Sequence, residues 1–274
     1  MKKLQRTMNS ERCEETPSQG RWDLELERRR SSFILRNRFR RLAGDKRLGV
    51  LWIVLEPLIM SLVYLFVFTV LRSSISTESL FIGISLWGLA TVSVMSGIDC
   101  ISDFSGGLKC ERVRTSVLVR PMVQFRIIDS ACRTIGVALI LFLIFDVNFM
   151  GVSSLVIIGM VLGILLEGLA LNLSKMGNAV PDMKVLTRHF MRLMFFAGPV
   201  LYPLTFASGI HYQINLFNPF TYFVETVREF AKLESSYSEL DPVMASSILG
   251  IVILLSIRGY MRIERYRWEL SSWS

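Results

Sequence analysis

Residues 48–71 read LGVLWIVLEPLIMSLVYLFVFTVL, an apolar run interrupted only by Glu56 and Pro57. A helix needs roughly 17 to 25 mostly apolar residues to cross the hydrocarbon of a bilayer, so this run predicts a transmembrane helix. The whole 274-residue chain agrees, since 51% of its residues are hydrophobic and 20% are charged, with a mean hydropathy of +0.45. These values exclude an ordinary soluble domain, a disordered chain and a disulfide scaffold.

Five further apolar runs extend the prediction to an all-α integral membrane fold with six transmembrane helices. The fifth run is the weakest, because Pro199 and Pro203 interrupt its second half, and the sixth is short for a span. A polar tail over residues 1–20 and a C-terminal tail over residues 261–274 flank the chain. The six spans, within a membrane domain of residues 48–260, are predicted at about 48–71, 80–98, 127–145, 152–173, 188–207 and 242–257.

The 31 Lys and Arg residues are distributed unevenly around these spans. Residues 1–47, 99–126, 174–192 and 258–274 hold 27 of them, whereas the alternate connections hold only three. Because basic loops remain in the cytoplasm, both termini are predicted to be cytoplasmic in a multi-pass protein of the cytoplasmic membrane. The net charge of +8 then reflects orientation and gives no reason to predict nucleic-acid binding.

The segment before the first span, residues 21–47, mixes Trp, Phe and Leu with many arginines. This pattern predicts an amphipathic helix on the cytoplasmic leaflet, with its cations against anionic lipid head groups. The alternative is a flexible basic tail that only enforces orientation.

Polar residues inside predicted spans are costly and are usually functional or paired. Asp129 and Arg133 are four residues apart, so they face the same side of a helix and predict a structural ion pair. Glu167 lies in the fourth span with no opposite charge nearby in sequence. It either forms a hydrogen bond with a neighbouring helix or faces a water-filled path.

Prolines interrupt two of the predicted spans. The Glu56-Pro57 pair removes a backbone donor from the first span and bends it. The bent helix either lines a cavity or simply packs against other helices. Residues 198–203, GPVLYP, can break a helix in the membrane only where protein or water satisfies the freed carbonyl groups.

Two connections have helical patterns of their own. Residues 215–230 lie on the predicted external side yet are rich in Phe, Tyr and Leu, so a short helix that starts at Asn218-Pro219 and dips into the outer leaflet is expected. On the cytoplasmic side, residues 99–120 form either a helix presented to a partner protein or a solvated face. Arg120-Pro121 is predicted to end that segment.

No catalytic motif is present in the sequence. It has no phosphate-binding loop of the GxxxxGK[ST] type, no HExxH, no GxSxG and no CxxC spacing;. We therefore predict a protein that is not an enzyme and needs no cofactor of its own.

The landmarks together resemble the permease subunits of ABC exporters for polysaccharides and polyol phosphates, the capsule, O-antigen and teichoic-acid types. Residues 38–57, RFRRLAGDKRLGVLWIVLEP, are similar to the basic lead-in, LGxLW motif and proline of that family. Residues 181–183, PDM, with 195–203, FFAGPVLYP, resemble its aspartate-marked loop and fifth span. Residues 218–230, NPFTYFVETVREF, resemble its external segment.

The resemblance implies a homodimer with two separate cytoplasmic ATP-binding subunits, which would hold the ATP and Mg²⁺. It implies that residues 99–120 include a coupling helix, that the N-terminal helix contributes to the ATPase contact, and that residues 218–230 form a re-entrant segment capping the exit. The corresponding coupling candidates are Arg38, Arg41, Asp103, Lys109, Glu111, Arg112 and Arg114, and the external gate candidates are Asn218, Pro219, Phe220, Phe223, Glu225 and Arg228.

The implied cargo is a lipid-linked or phosphate-bearing glycan that passes between the subunits. Aromatic side chains suit sugar faces, so the path candidates are Tyr64, Phe66, Phe68, Phe195, Phe196 and Tyr202, together with Glu167. Two other functions remain open: an ABC permease for drugs or small lipids, and a membrane-embedded lipid-phosphate transferase. The transferase would need clustered acids or histidines at one leaflet, and the sequence shows none.

Overall fold

The computed structural model describes residues 24–43, 51–70, 76–103, 115–235, 237 and 240–271. These residues form helices and connecting turns without any strand, which confirms the all-α prediction for this part of the chain. The helices are α1 Leu24–Ala43, α2 Trp52–Val70, α3 Thr77–Asp103, α4 Thr115–Leu143, α5 Phe149–Leu171, α6 Ser174–Ala179, α7 Pro181–Ala197, α8 Gly209–Phe217, α9 Pro219–Phe230 and α10 Pro242–Ser271.

Three of these helices are long and apolar enough to cross a membrane, within the residues described: Thr77–Cys100, Phe149–Leu171 and Pro242–Ile263. They carry the second, fourth and sixth predicted spans. The sixth is longer than predicted, because α10 continues unbroken to Ser271 and so includes most of the predicted C-terminal tail. The first predicted span lies on α2, and the total of six spans stays a prediction.

The fifth predicted span, 188–207, is interrupted at the stretch where its prolines predict a break, and whether it crosses the membrane stays a prediction. Helix α7 ends at Ala197 and is followed by the non-helical residues 198–203 and a short 3₁₀ turn, Leu204–Phe206. Pro199 and Pro203 lack the N–H groups that would continue the helical ladder.

The prediction that the cytoplasmic segment ends at Arg120-Pro121 is wrong, because α4 runs through both residues as one helix. Proline removes a single helical hydrogen bond, and tertiary packing stabilises the helix on both sides of it. Val117, Leu118 and Met122 are buried in a cluster with Ile34 of α1 and Ile263 of α10.

Helix α5 lies at the centre of the structure and packs against α3, α4 and α10. Small residues permit the close approach to α10: a side chain at Gly168 would collide with Ser256, and one at Gly259 would collide with the carbonyl of Gly168. Such small-residue contacts are typical of helices packed within a membrane.

Helix α1 packs along α4, where the rings of Phe39 and Phe125 meet edge to face with centroids 5.0 Å apart. The flexible-tail alternative is therefore wrong for residues 24–43, which form a helix in contact with the core. Its contact with the cytoplasmic leaflet stays a prediction.

Candidate functional site

A chain of charged side chains runs through the helices, and its inner half surrounds Glu167. Arg126 Nε donates to Glu167 Oε2 at 3.1 Å, and Arg126 Nη1 donates to Asp129 Oδ2 at 2.9 Å. Arg38 Nη1 from α1 and the Ser96 hydroxyl from α3 both donate to Glu167 Oε1, at 3.4 and 3.0 Å. Arg126 and Glu167 are completely buried.

The outer half of the chain reaches α2. Arg133 Nε donates to Asp129 Oδ1 at 3.2 Å, the contact that their four-residue spacing predicts, and Arg133 Nη1 donates to Glu56 Oε2 at 3.0 Å. The structure thus connects Arg38, Glu167, Arg126, Asp129, Arg133 and Glu56, which we call the charge chain.

Three carboxylates and three guanidinium groups make the charge chain neutral overall. A buried charge is tolerated only when it is paired and hydrogen-bonded, and each buried member here has at least two such partners;. Glu167 forms hydrogen bonds with neighbouring helices, as the first alternative predicts, whereas a role in a water-filled path stays a prediction.

A cavity of about 550 Å³ opens between α2, α3, α4 and α7, next to the outer end of the charge chain. Glu56 and Pro57 line it, as do Trp87, Phe195 and Phe196. Gly88 also faces it, and a Cβ atom at that position would have no neighbour within 4 Å among the described residues. Because Gly88 lies in the middle of the apolar stretch Thr77–Cys100, the cavity lies beside the middle of a membrane-capable helix.

The basic side chains of the cavity make its electrostatics unusual. Arg188 and Arg192 are one turn apart on α7, and neither forms a hydrogen bond or ion pair within the described residues. Arg133 also lines the cavity, but Asp129 and Glu56 neutralise it. Both arginines are exposed, so their guanidinium groups are accessible to an anionic ligand at the cavity;.

The aromatic wall of the cavity contains two of the predicted path residues. Phe196 is exposed toward the cavity, whereas Phe195 is buried and packs against Trp87 with ring centroids 6.2 Å apart. Trp87 in turn contacts Phe220 of α9 edge to face at 4.9 Å.

The broken segment after α7 is held by Arg228 of α9. Arg228 Nη1 donates to the carbonyl of Pro199 at 2.9 Å and to that of Tyr202 at 3.3 Å, while Nη2 donates to the carbonyl of Val200 at 3.2 Å. Glu225 Oε1 accepts from Arg228 Nη1 at 2.8 Å. These contacts supply donors for the carbonyl groups that the helix break frees.

The same segment packs directly on α3. A Cβ atom at Gly83 would collide with the carbonyl of Val200, so only glycine permits this approach. Helix α8 supplies a hydrogen-bond donor for the last residue of α7, because Asn215 Nδ2 donates to the carbonyl of Ala197 at 2.9 Å. The hydroxyl of Tyr202 donates to that carbonyl at 3.2 Å and lies 2.8 Å from His211 Nε2.

The predicted external segment, residues 215–230, contains the last three residues of α8 and the whole of α9. Helix α9 begins at Pro219 as predicted, with the Asn218 side chain accepting a hydrogen bond from the Phe220 backbone N–H at 3.1 Å. Phe220 and Phe223 are buried against the core rather than solvated. Re-entry into the membrane and a gating role stay predictions.

The remaining predicted site residues are scattered. Phe66 is 71% exposed on α2 and does not line the cavity. Arg38 points inward to Glu167, whereas Arg41 is exposed on the same helix; the coupling role of both stays a prediction. The side chains of Tyr64, Phe68 and Asp103, and residues Lys109, Glu111, Arg112 and Arg114, lie outside the described part of the structure.

Three residues that matter to the site belong to stretches that the sequence marks only as basic and cytoplasmic. Arg126 is one of them, although its position three residues before Asp129 on one helix is a usable signal. Arg188 and Arg192 are the others, and their four-residue spacing before Phe195 and Phe196 is the signal that identifies them.

Comparison with known proteins gives one family match. Residues 31–230 match the model of a family described as ABC-2 type transporter. No curated protein matches the chain. The match covers most of the chain and includes the charge chain, the cavity and the Arg228 contacts.

Proposed function

The chain belongs to the ABC-2 type transporter family and is thus a membrane permease of an ABC transporter, and we propose that it exports a lipid-linked or phosphate-bearing polysaccharide. The family membership implies association with ATP-binding subunits, which supply the energy. We propose further that two copies of the chain form the permease, with two ATPase subunits on its cytoplasmic face, in the cytoplasmic membrane.

The observation that carries the proposed cargo is the chemistry of the cavity. Arg188 and Arg192 offer two guanidinium groups that have no counter-ion in the described part of the chain, and guanidinium groups suit a phosphate;. Phe196 lies two turns further along α7, about 12 Å from Arg188 at 1.5 Å per residue, and an aromatic ring suits the apolar face of a sugar. The cavity wall thus offers guanidinium groups for the phosphate and an aromatic ring for the sugar of a phosphate-bearing glycan.

The charge chain gives a physical route by which the partner subunits influence the cavity. It begins at Arg38 on α1, beside the proposed ATPase contact, and ends at Glu56 and Arg133 in the cavity wall. ATP binding that moves α1 or residues 99–120 would shift the spans between a closed and an open arrangement.

Co-purification tests the central proposal. The full-length chain, expressed with the ATPase encoded beside it, should purify as a complex whose ATP hydrolysis rises when phosphate-bearing glycolipids are added to proteoliposomes. An uncharged glycolipid with the same lipid serves as the control. Failure of reciprocal pulldowns to recover an ATPase would overturn the proposal.

The two cavity arginines should determine the response to a charged cargo. Replacing both Arg188 and Arg192 by glutamine is expected to raise the glycolipid concentration for half-maximal ATPase stimulation about tenfold, since each charge-assisted hydrogen bond contributes about 1.5 to 3 kcal/mol before solvent exposure reduces it. Arg258→Gln, an exposed change on α10 outside the cavity, is the control. Equal shifts in both proteins would refute the role of the pair.

Filling the cavity should block transport without unfolding the protein. Leucine at Gly88 would project into open space, so we expect Gly88→Leu to reduce cargo-stimulated ATP hydrolysis at least tenfold while the unfolding transition changes little;. Gly250→Leu is a matched control, because a side chain there also meets nothing within 4 Å and Gly250 does not line the cavity. A similar loss in both variants would show that the cavity is not on the path.

A second candidate function has one observation in its favour. A cavity of about 550 Å³ is within the roughly 300 to 1,000 Å³ typical of sites for small molecules, so the chain could instead export drugs or small lipids. Stimulation of the complex by amphiphilic drugs, with no response to any glycolipid, would favour this function.

A further inference from the structure

A second polar site lies between α1 and α4, away from the proposed cargo cavity. Two adjoining cavities of about 180 and 410 Å³ share Arg28, Ser31 and Arg120 in their walls. We call them together the α1–α4 groove. The two helices are parallel here, because Arg28 lies near Arg120 at one end and Phe39 contacts Phe125 further along.

The groove has the chemistry of a phosphate site. Neither Arg28 nor Arg120 has a side-chain hydrogen bond or ion pair to any residue in the described ranges. Further polar groups of the lining are the hydroxyl groups of Ser31, Ser32 and Ser116 and the amide of Gln124. Ser116 is in the first turn of α4, where free backbone N–H groups also favour an anion.

The groove also contains a carboxylate oxygen that could accept a hydrogen bond from a ligand. Glu27 lines the smaller cavity, and its Oε1 atom is buried without a hydrogen-bond partner among the residues that the structure describes. A buried acceptor is almost always paired in a native protein, so an unpartnered carboxylate oxygen indicates a missing N–H or O–H donor. A ligand that carries both a phosphate and an ammonium group would satisfy the two arginines and the glutamate together.

The depth of the groove indicates a membrane lipid as the source of that ligand. Arg120 is seven residues before the predicted start of the third span at residue 127, which is about 10 Å along the helix. The head-group layer extends roughly 5 to 8 Å beyond the hydrocarbon, within reach of an arginine side chain. Phe33, just beyond the groove on α1, is 65% exposed and is suited to contact acyl chains.

We propose that the α1–α4 groove binds the head group of phosphatidylethanolamine, with its phosphate between Arg28 and Arg120 and its ammonium at Glu27. A bound lipid would join α1 to the head of α4. This site is independent of the cargo and of the proposed polysaccharide export.

Native mass spectrometry of the delipidated full-length protein tests the proposal with three added probes: phosphatidylethanolamine, phosphatidylcholine and soluble phosphoethanolamine. The unmodified protein should retain one phosphatidylethanolamine about tenfold more tightly than phosphatidylcholine, whose quaternary ammonium cannot donate a hydrogen bond to Glu27. It should bind soluble phosphoethanolamine more weakly than the intact lipid. Equal retention of the two lipids, or equal affinity for the soluble head group, would overturn the proposal.

Three variants separate the two halves of the site. Arg28→Gln and Arg120→Gln should each weaken both lipids several-fold, and Glu27→Gln should remove only the preference for phosphatidylethanolamine. Arg36→Gln is the matched control, since Arg36 is exposed on α1 and does not line the groove. The three groove residues lie at or near the surface, and an unchanged gel-filtration profile verifies folding. Arg28 and Arg120 variants that bind lipid like the Arg36 variant would refute the site.

Discussion

Replacing Glu167 by leucine should lower the free energy of unfolding by about 3 to 5 kcal/mol, the largest effect that we expect on stability. The change leaves the buried guanidinium of Arg126 with Asp129 as its remaining carboxylate partner, and Arg38 loses its ion pair with Glu167. The free energy can be measured by SDS titration of the protein in mixed micelles. Glu234→Leu, an exposed change of the same kind, should have almost no effect.

Two further variants identify the cause of that loss. Removing both charges, in Glu167→Leu with Arg126→Leu, should restore much of the stability, because a buried pair replaced by apolar groups is often tolerated. Glu167→Gln keeps an acceptor for Ser96 and should destabilise less than leucine. If the glutamine variant transports normally while the leucine variant unfolds, Glu167 has no role in a path. If the leucine variant is as stable as the original, the charge chain does not stabilise the fold.

Arg228→Gln is expected to have the second large effect, a destabilisation of about 3 to 5 kcal/mol together with loss of transport. Glutamine is too short to reach the carbonyl groups of Pro199 and Val200, so they and Glu225 would lose buried donors;. Arg228→Lys should be intermediate, because lysine keeps the charge but lacks the planar fork. Stability is measured as above, and transport as cargo-stimulated ATP hydrolysis of the reconstituted complex.

Lys232→Gln is the matched control for Arg228, since Lys232 is an exposed cation four residues further on. It should retain full stability and activity. A stable Arg228→Gln protein would mean that water replaces the guanidinium at the broken segment. The contacts of Arg228 would then not be needed to hold residues 198–203.

Parts of the site could be predicted because the interacting residues are close in sequence. The spacing of Asp129 and Arg133 predicts their contact, and Asn218-Pro219 predicts the start of α9. The partnership of Arg126 with Glu167 could not be predicted, because 41 residues separate them. Whether they meet depends on how α4 packs against α5, and no local pattern determines that packing.

In the fifth span, too, nearby residues predict the helix break but not the distant residue that stabilises it. Pro199 and Pro203 predict freed carbonyl groups that protein or water must satisfy, and the structure provides a protein donor. The donor itself, Arg228, lies 29 residues from Pro199, in the segment that the sequence predicts as an external helix and gate. The continuous α4 could not be predicted either, since its packing against α1 and α10 outweighs the proline signal.

The charge chain also has a consequence for how the protein is synthesised. A charged residue at the centre of a single span opposes insertion by about 2.5 to 3.5 kcal/mol, and the cost falls toward the ends, where α4 carries Asp129 and Arg133 in the first two turns of its predicted span with Arg126 at its edge;. Two of the neutralising carboxylates lie elsewhere, Glu56 on an earlier helix and Glu167 on a later one. Helix α4 therefore acquires all of its charge partners only after α5 has been synthesised. A nascent chain that stops before residue 167 would leave Arg126 with Asp129 as its remaining carboxylate partner.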